Sequence, residues 1–224
     1  LPQPPGVRMA AMYEPADRSE PIGGDWYDAF ELADGRLALV IADVAGHGRD
    51  AAVFMVQVRN VFRALADEYH QPGEVLTRAN DVTSRLIDPS GPFVTCCFAI
   101  LDRSSRTLTW ALAGHFSPLV LHADGTSSYL PEHPGPPLAL TPHRRYVSSS
   151  VVLQRDDRIL LFTDGLVERR REHLDVGLAR LAREASAHAA LDPEHFVRAL
   201  ARSVTDRFDD LALLCVQLHG RDLV

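Results

Sequence analysis

The chain has 224 residues, which at ~150 residues per domain allows one large domain or two small ones. Apolar residues make up 46% and charged residues 24%, enough to bury a core without disulfide staples. Thirty acidic residues against 23 basic ones leave a net charge of −7 with no basic stripe, which argues against nucleic acid as a partner. All the basic residues are Arg, so P-loop, protein-kinase and pyridoxal chemistries, each of which needs a Lys, are excluded.

Residues 1–6 (LPQPPG) read as the end of a linker, because Pro supports neither helix nor ladder. Strands are predicted over Val7–Tyr13, Asp25–Leu32 and Arg36–Asp43, the last two joined at Ala33-Asp34-Gly35 as a hairpin. After Gly46-His47-Gly48 the period changes. Ala52, Met55, Val56, Arg59, Phe62, Leu65 and Ala66 suit one face of a helix, and a second helix over Gly73–Leu86 would turn Val75, Leu76, Ala79, Val82 and Leu86 inward. Hairpins are expected from Phe93–Leu101 with Thr107–Ala113, and from Leu119–His122 with Thr126–Leu130. Pro131–Pro142 holds five Pro and reads as an ordered loop or lid. A further hairpin of Tyr146–Leu153 with Arg158–Phe162 would turn at Asp156-Asp157; helices over Leu178–Ala187 and Pro193–Thr205 and a strand over Leu211–Leu218 follow. Hairpins and helix pairs in separate blocks argue for an α+β fold, not a doubly wound parallel sheet. One domain over 7–219 is expected, with 220–224 as a tail.

Three Cys, two of them adjacent (Cys96 and Cys97), show no metal-type spacing and read as core thiols of a cytoplasmic protein. Neighbours on a strand point to opposite faces and do not easily bridge. No apolar run approaches the ~20 residues of a membrane span, and no signal peptide is seen. The chain opens on Leu1, so a longer protein with an upstream sensor segment is expected.

Acidic residues punctuate the apolar strands. Asp25 and Asp28 lie in Gly-Gly-Asp-Trp-Tyr-Asp; Asp43 ends Leu39-Val40-Ile41-Ala42; Asp164 follows Ile159–Thr163; Asp209 and Asp210 open the last strand. A carboxylate at the rim of a core needs a partner. Several converging there would repel one another unless a hard divalent cation with oxygen ligands relieved them, which suits Mg²⁺ or Mn²⁺. Singly, each has a plainer reading: Asp164-Gly165 and Asp209-Asp210 as turns, Asp43 as a helix cap, Asp28 as a surface strand residue.

Taken in order, Gly23-Gly24-Asp25-Trp26-Tyr27-Asp28, Asp43-Val44-Ala45-Gly46-His47-Gly48, Ala113-Gly114-His115, Gly135-Pro136-Pro137-Leu138, Thr163-Asp164-Gly165-Leu166-Val167-Glu168 and Asp209-Asp210-Leu211-Ala212-Leu213-Leu214 resemble the stage II sporulation E-type catalytic domain. That domain falls within the metal-dependent (type-2C) protein serine/threonine phosphatases. The resemblance spans roughly residues 7–219. It implies an α-β-β-α sandwich with a two-metal site, Mn²⁺ or Mg²⁺, at one end of the sheets. On that resemblance Asp43 would bridge both ions, the Val44 carbonyl would complete one shell, and Asp164 and Asp209 would hold the other ion. Asp25 would act through water, Asp210 would support, and Asp28 is a lesser candidate. The implied reaction is attack of an activated water on phosphorus, displacing a Ser or Thr oxygen.

His47 reads either as a general acid for the leaving alkoxide or as a structural residue between two glycines. His115 reads as a hydrogen-bonded strand-end residue, and Arg169-Arg170-Arg171 as a solvated approach to a helix or a basic rim. The substrate implied by the resemblance is a phosphorylated anti-sigma-factor antagonist in a bacterial partner-switching pathway. The competing readings are a degenerate phosphatase-fold binding module, which would lack metal ligands, and a two-metal hydrolase of another ester such as a nucleotide.

Overall fold

The computed structural model describes residues 1–16, 23–46, 48–87, 91–204 and 209–219. In chain order the elements are β1 (Val7–Glu14), β2 (Trp26–Glu31), β3 (Leu37–Val44), α1 (Arg49–Ala66), α2 (Pro72–Leu86), β4 (Val94–Asp102), β5 (Thr107–Ala113), β6 (Leu119–Leu121) and β7 (Ser127–Tyr129). They continue with β8 (Pro134–Gly135), β9 (Ser149–Val152), β10 (Arg158–Phe162), a 3-10 turn at Asp164–Leu166, α3 (Leu174–Ala187), α4 (Pro193–Arg202) and β11 (Leu211–Leu218). One sheet has the order β1-β11-β10-β6-β7; the other runs β2-β3-β4-β5-β8, with β9 also paired to β5. All pairings between these strands are antiparallel except β5 with β8.

Three cores set the layering. Leu39, Ile41 and Cys97 of one sheet meet Ile159, Leu161, Leu214 and Val216 of the other. Val40, Ala42, Cys96 and Phe98, on the opposite face of the β3/β4 ladder, pack on Phe54, Val58, Phe62 and Leu76 of α1 and α2. Leu160, Phe162, Leu213 and Cys215 pack on Leu181, Phe196 and Leu200 of α3 and α4. The period of two along each strand therefore feeds two cores at once, giving the expected α-β-β-α sandwich. Cys96 and Cys97 sit in different cores, and all three thiols are free and buried.

Three readings of the sequence need correction. Tyr146–Leu153 and Arg158–Phe162 do not form a hairpin: β9 pairs with β5, whereas β10 pairs with β6 and β11 in the other sheet. The Asp156-Asp157 corner carries the chain between sheets. There the buried Asp157 carboxylate accepts from Gln154 N (2.8 Å) and Ala123 N (3.1 Å), satisfying loop backbone at the corner. The buried stripe of α1 is Ala51, Phe54, Val58, Phe62 and Ala66, leaving Val56 and Arg59 on the exposed side. In α2, Leu86 is exposed and Asn80 and Thr83 are buried in its place. Asn80 earns its burial by accepting from Ala139 N and donating to Thr141 O, which ties the Pro-rich loop to the helix. That loop also carries β8 and a bridge from Leu138 to Val94, so it is ordered, as the sequence suggested.

Candidate active site

The carboxylates singled out from sequence, Asp28 excepted, gather at one end of the two sheets. Asp43 is the penultimate residue of β3, and Asp25 immediately precedes β2, the neighbour of β3. Asp164 opens the 3-10 turn after β10, and Asp209 and Asp210 immediately precede β11, the neighbour of β10. Antiparallel pairing is what brings a strand's end beside its neighbour's start. Thr163 locks the second pair of ends together: its hydroxyl accepts from Ala212 N at 2.9 Å, and its own N donates to Ala212 O at 3.1 Å. Gly165 then lies so close to the strand that a Cβ built on it would fall 1.9 Å from Asp210 O. At the other pair, Val44 N donates to Gly24 O at 3.2 Å, which fixes the Asp25 approach against the end of β3. Gly46 and Gly48 have φ of 116° and 82°, a backbone that favours glycine and turns the chain sharply into α1.

The charges at this end act on one another. Burial, then the Asp43 charge, push Asp25 up to about 9, with the Thr163 hydroxyl partly offsetting and Asp164 and Asp210 adding to the rise. Burial and the Asp209 and Asp43 charges lift Asp164 to about 7. Asp43 rises to about 6 through burial and the charges of Asp209 and Asp210, against a hydrogen bond from Asp25. Asp209 is raised as well, by burial first and Asp210 second. Among the described residues, two carboxylate oxygens, Asp25 Oδ2 and Asp164 Oδ1, are buried without a hydrogen-bond partner. Orphaned carboxylate oxygens beside like charges are what a hard cation satisfies, so the donor set fits Mg²⁺ or Mn²⁺. Among the described residues no three His, Cys, Asp or Glu converge into a single cage.

Asp210 is partly engaged, accepting from Ala16 N at 2.8 Å, with the Tyr13 hydroxyl 3.5 Å from its other oxygen. Tyr13 in turn accepts from Gly23 N at 2.8 Å, so it links β1 to the approach of Asp25. Asp28 does not join the cluster and is not a surface residue. It is buried on β2 and pairs with two arginines of α1: Arg63 through contacts of 2.7 and 2.7 Å, and Arg59 through contacts of 3.0 and 3.4 Å. Those guanidiniums outweigh its burial and hold its carboxyl below the usual range. His47 lies outside the described residues. His115 is buried between Thr95 Oγ1 (2.8 Å) and Phe162 O (3.1 Å). Phe162 O can only accept, so Nε2 carries the proton and Nδ1 accepts from Thr95. Burial holds this imidazole down at about 4, a neutral structural residue as expected. Arg169 is tied to Ser203 O at the end of α4 (3.2 Å), whereas Arg170 and Arg171 are exposed.

Sequence reasoning missed Tyr13, Thr163 and the Arg59–Asp28–Arg63 cluster as parts of this end of the molecule. Thr163 had a signal, since it directly precedes Asp164. Arg59 had only its place on α1, and the inward reading of that helix face hid it.

Two stacked sheets capped by helix pairs, with carboxylates gathered where strands of both sheets end, define a domain of the type-2C (PP2C) phosphatase fold. The chain belongs to the stage II sporulation protein E (SpoIIE) family, whose sequence model matches residues 33–219. It is 28% identical over 173 residues to the phosphoserine phosphatase RsbU of Bacillus subtilis, covering 77% of this chain and 50% of that protein. To the phosphoserine phosphatase RsbP of the same organism it is 24% identical, over 67% of this chain and 38% of the relative. The chain thus spans half or less of these relatives. Among solved structures it is similar to the RsbU and RsbW domains of Rv1364c from Mycobacterium tuberculosis, with TM-score 0.84, 34% identity and coverage of 96% of this chain and 60% of that one. The SpoIIE phosphatase domain of Bacillus subtilis, at 16% identity and TM-score 0.78 over 96% of this chain and 64% of that one, shares the fold.

Proposed function

We propose that this chain is a phosphoserine/phosphothreonine protein phosphatase, and that the phosphatase unit runs over 7–219. The observation that carries the reading is the set of mutually raised carboxylates with two orphaned buried oxygens, Asp25 Oδ2 and Asp164 Oδ1, at one end of a phosphatase fold. Asp43, the Val44 carbonyl, Asp164 and Asp209 would hold two Mg²⁺ or Mn²⁺ ions, with Asp25 acting through water and Asp210 in support. Bound, the ions supply water activation near neutral pH and neutralise the phosphoryl oxygens.

The chain's own groups do the rest. Asp43 stands between the two pairs of strand ends, within reach of the charges of Asp25, Asp164, Asp209 and Asp210. Burial and the Asp43 charge favour the protonated form of Asp25, a balance that an outside positive charge would reverse. Thr163 and Gly165 fix Asp164 against β11. The relatives named as phosphoserine phosphatases support a phosphoserine substrate; on the resemblance of the motifs, that substrate is a phosphorylated anti-sigma-factor antagonist in a cytoplasmic partner-switching pathway, with an upstream sensor domain supplying the signal.

The test is phosphate release from a phosphorylated antagonist protein with Mn²⁺, with excess chelator, and with Asp43→Asn. Release with Mn²⁺ and its loss in the other two arms are expected. Undiminished release in chelator or in the variant would remove the two-metal reading.

A further inference from the structure

The site opens into a cavity of about 370 Å³ whose wall includes Asp25, Tyr13, Trp26, Tyr27, Met55 and Arg59. The volume exceeds what a phosphoryl group alone fills, and most of the wall is aromatic or thioether, which suits an apolar stretch of peptide. Two donors bear on it. Trp26 is 5% exposed, and its indole N–H is buried with no hydrogen-bond partner among the described residues. Arg59, with a side chain 46% exposed, gives Nε and Nη2 to Asp28, and its Nη1 has no partner among the described residues.

Arg59 is also the weaker of the two holds on Asp28. Arg63 makes two contacts of 2.7 Å, a bidentate fork that is enough to keep a buried carboxylate paired. Asp28 therefore stays compensated if Arg59 swings away. Arg59 and Tyr27 line both this cavity and a neighbouring one of about 390 Å³ that holds Asp28 and Arg63. The guanidinium thus stands at the boundary between an intramolecular anion it can release and a cavity whose other ionisable side chains are the Asp25 carboxyl and the phenols of Tyr13 and Tyr27.

We propose that Arg59 is a substrate-binding residue of this site: it leaves Asp28 to Arg63 and takes an anionic oxygen of the phosphoprotein, while the residue beside the phosphorylated one packs on Tyr13, Tyr27 and Met55. The proposal rests on the phosphatase reading above and adds the recognition element. The anionic oxygen belongs either to the phosphoryl group itself or to an acidic residue next to it, and the choice of substrates separates the two.

Arg59→Ala, Arg59→Lys and Asp28→Asn are compared with the unsubstituted chain in saturating Mn²⁺. The substrates are nitrophenyl phosphate, a phosphoserine peptide with Glu beside the phosphoserine, and the same peptide with Ala there. Peptide binding is read in parallel by fluorescence anisotropy. Losing a charge-assisted hydrogen bond predicts a KM for the Glu peptide raised about 10- to 100-fold in Arg59→Ala with kcat little changed, and a partial return in Arg59→Lys. A loss confined to the Glu peptide assigns the contact to the flanking carboxylate; an equal loss on all three substrates assigns it to the phosphoryl group. Asp28→Asn, which releases Arg59 from its intramolecular anion, should lower the melting temperature and leave KM in place or reduce it.

KM and anisotropy within twofold of the unsubstituted chain in Arg59→Ala would overturn the proposal. So would a KM rise in Asp28→Asn as large as that in Arg59→Ala, because the effect would then come from a displaced helix. If the unsubstituted chain turns over none of the substrates yet Arg59→Ala abolishes peptide binding, the phosphatase reading has failed and the contact stands.

Discussion

Gly165→Ala isolates the geometric core of the site. The backbone of Gly165 is not left-handed, so Ala adopts it without torsional strain, and only space is at issue. The added Cβ would lie 1.9 Å from Asp210 O, 2.9 Å from Asp210 C and 3.3 Å from Asp209 O. The first is about 1.5 Å short of ordinary contact, and its partner is backbone, which cannot rotate aside as a side chain tip would. Nor can the turn slide, because Thr163 is bonded to Ala212 through both its N and its hydroxyl two residues away. Either Asp164 or the Asp209-Asp210 segment must move by an ångström or more. Overpacking of this kind costs about 1–3 kcal/mol, and at ~2–4 °C per kcal/mol for a chain of this size the melting temperature should fall by roughly 2–12 °C. Misplacement by ~1 Å in a reacting site costs on the order of 10²-fold in rate. Calorimetric melting, Mn²⁺ affinity by titration and phosphate release together read the effect. A variant that melts within a degree of the unsubstituted chain, with Mn²⁺ affinity and turnover intact, would show that Asp164 and Asp209 do not depend on this contact.

Two further outcomes are expected. Asp25, Asp164 and Asp43, at about 9, 7 and 6 against 3.8 for a free carboxyl, bind protons that the unfolded chain has released. Stability in chelator should therefore fall as pH rises from about 5 to 9, Mn²⁺ should flatten the fall, and Asp25→Asn should remove its upper part; melting temperatures that climb across that range in both proteins would contradict the electrostatics. For His47, the general-acid role predicts that His47→Ala slows release from a phosphoserine protein ~10²–10⁴-fold and barely affects nitrophenyl phosphate, whose leaving group needs no proton, whereas equal losses on the two substrates would assign His47 to the shape of the turn.

How much of this was legible in the sequence depends on how local each signal is. Most strands appear within a residue or two of where alternation and Asp-Gly turns put them, and Leu211–Leu218 coincides, because period and turn chemistry are read from neighbouring residues. The β9–β10 hairpin failed for the same reason. Asp156-Asp157 has turn composition, but which sheet each strand joins is decided by partners tens of residues away. The face of α1 failed because two overlapping apolar stripes fit a period of 3.6, and only packing against β3 and β4 chooses between them. The carboxylates were legible because each sits at the end of an apolar run. Their partners were not: Arg59 and Arg63 are 31 and 35 residues from Asp28 and reach it only after the helix folds across the sheet.

Asp25 and Asp28 make the contrast sharpest. They are three residues apart, both are buried, and burial alone would raise both. At Asp28 the chain supplies two guanidiniums, and the carboxyl ends below its ordinary value. At Asp25 the charges that act are those of Asp43, Asp164 and Asp210, all of the same sign, and the carboxyl ends far above it. A chain with 23 arginines had the means to pair Asp25 as it pairs Asp28. Replacing one of those neighbouring carboxylates by a basic residue would have stabilised the fold at neutral pH. The site instead keeps five carboxylates together at a standing cost in stability. Perturbed, mutually repelling groups in a cleft mark function rather than folding. On the function proposed here, a positive charge from outside the chain would relieve that repulsion, and the carboxylate donor set suits a hard divalent cation.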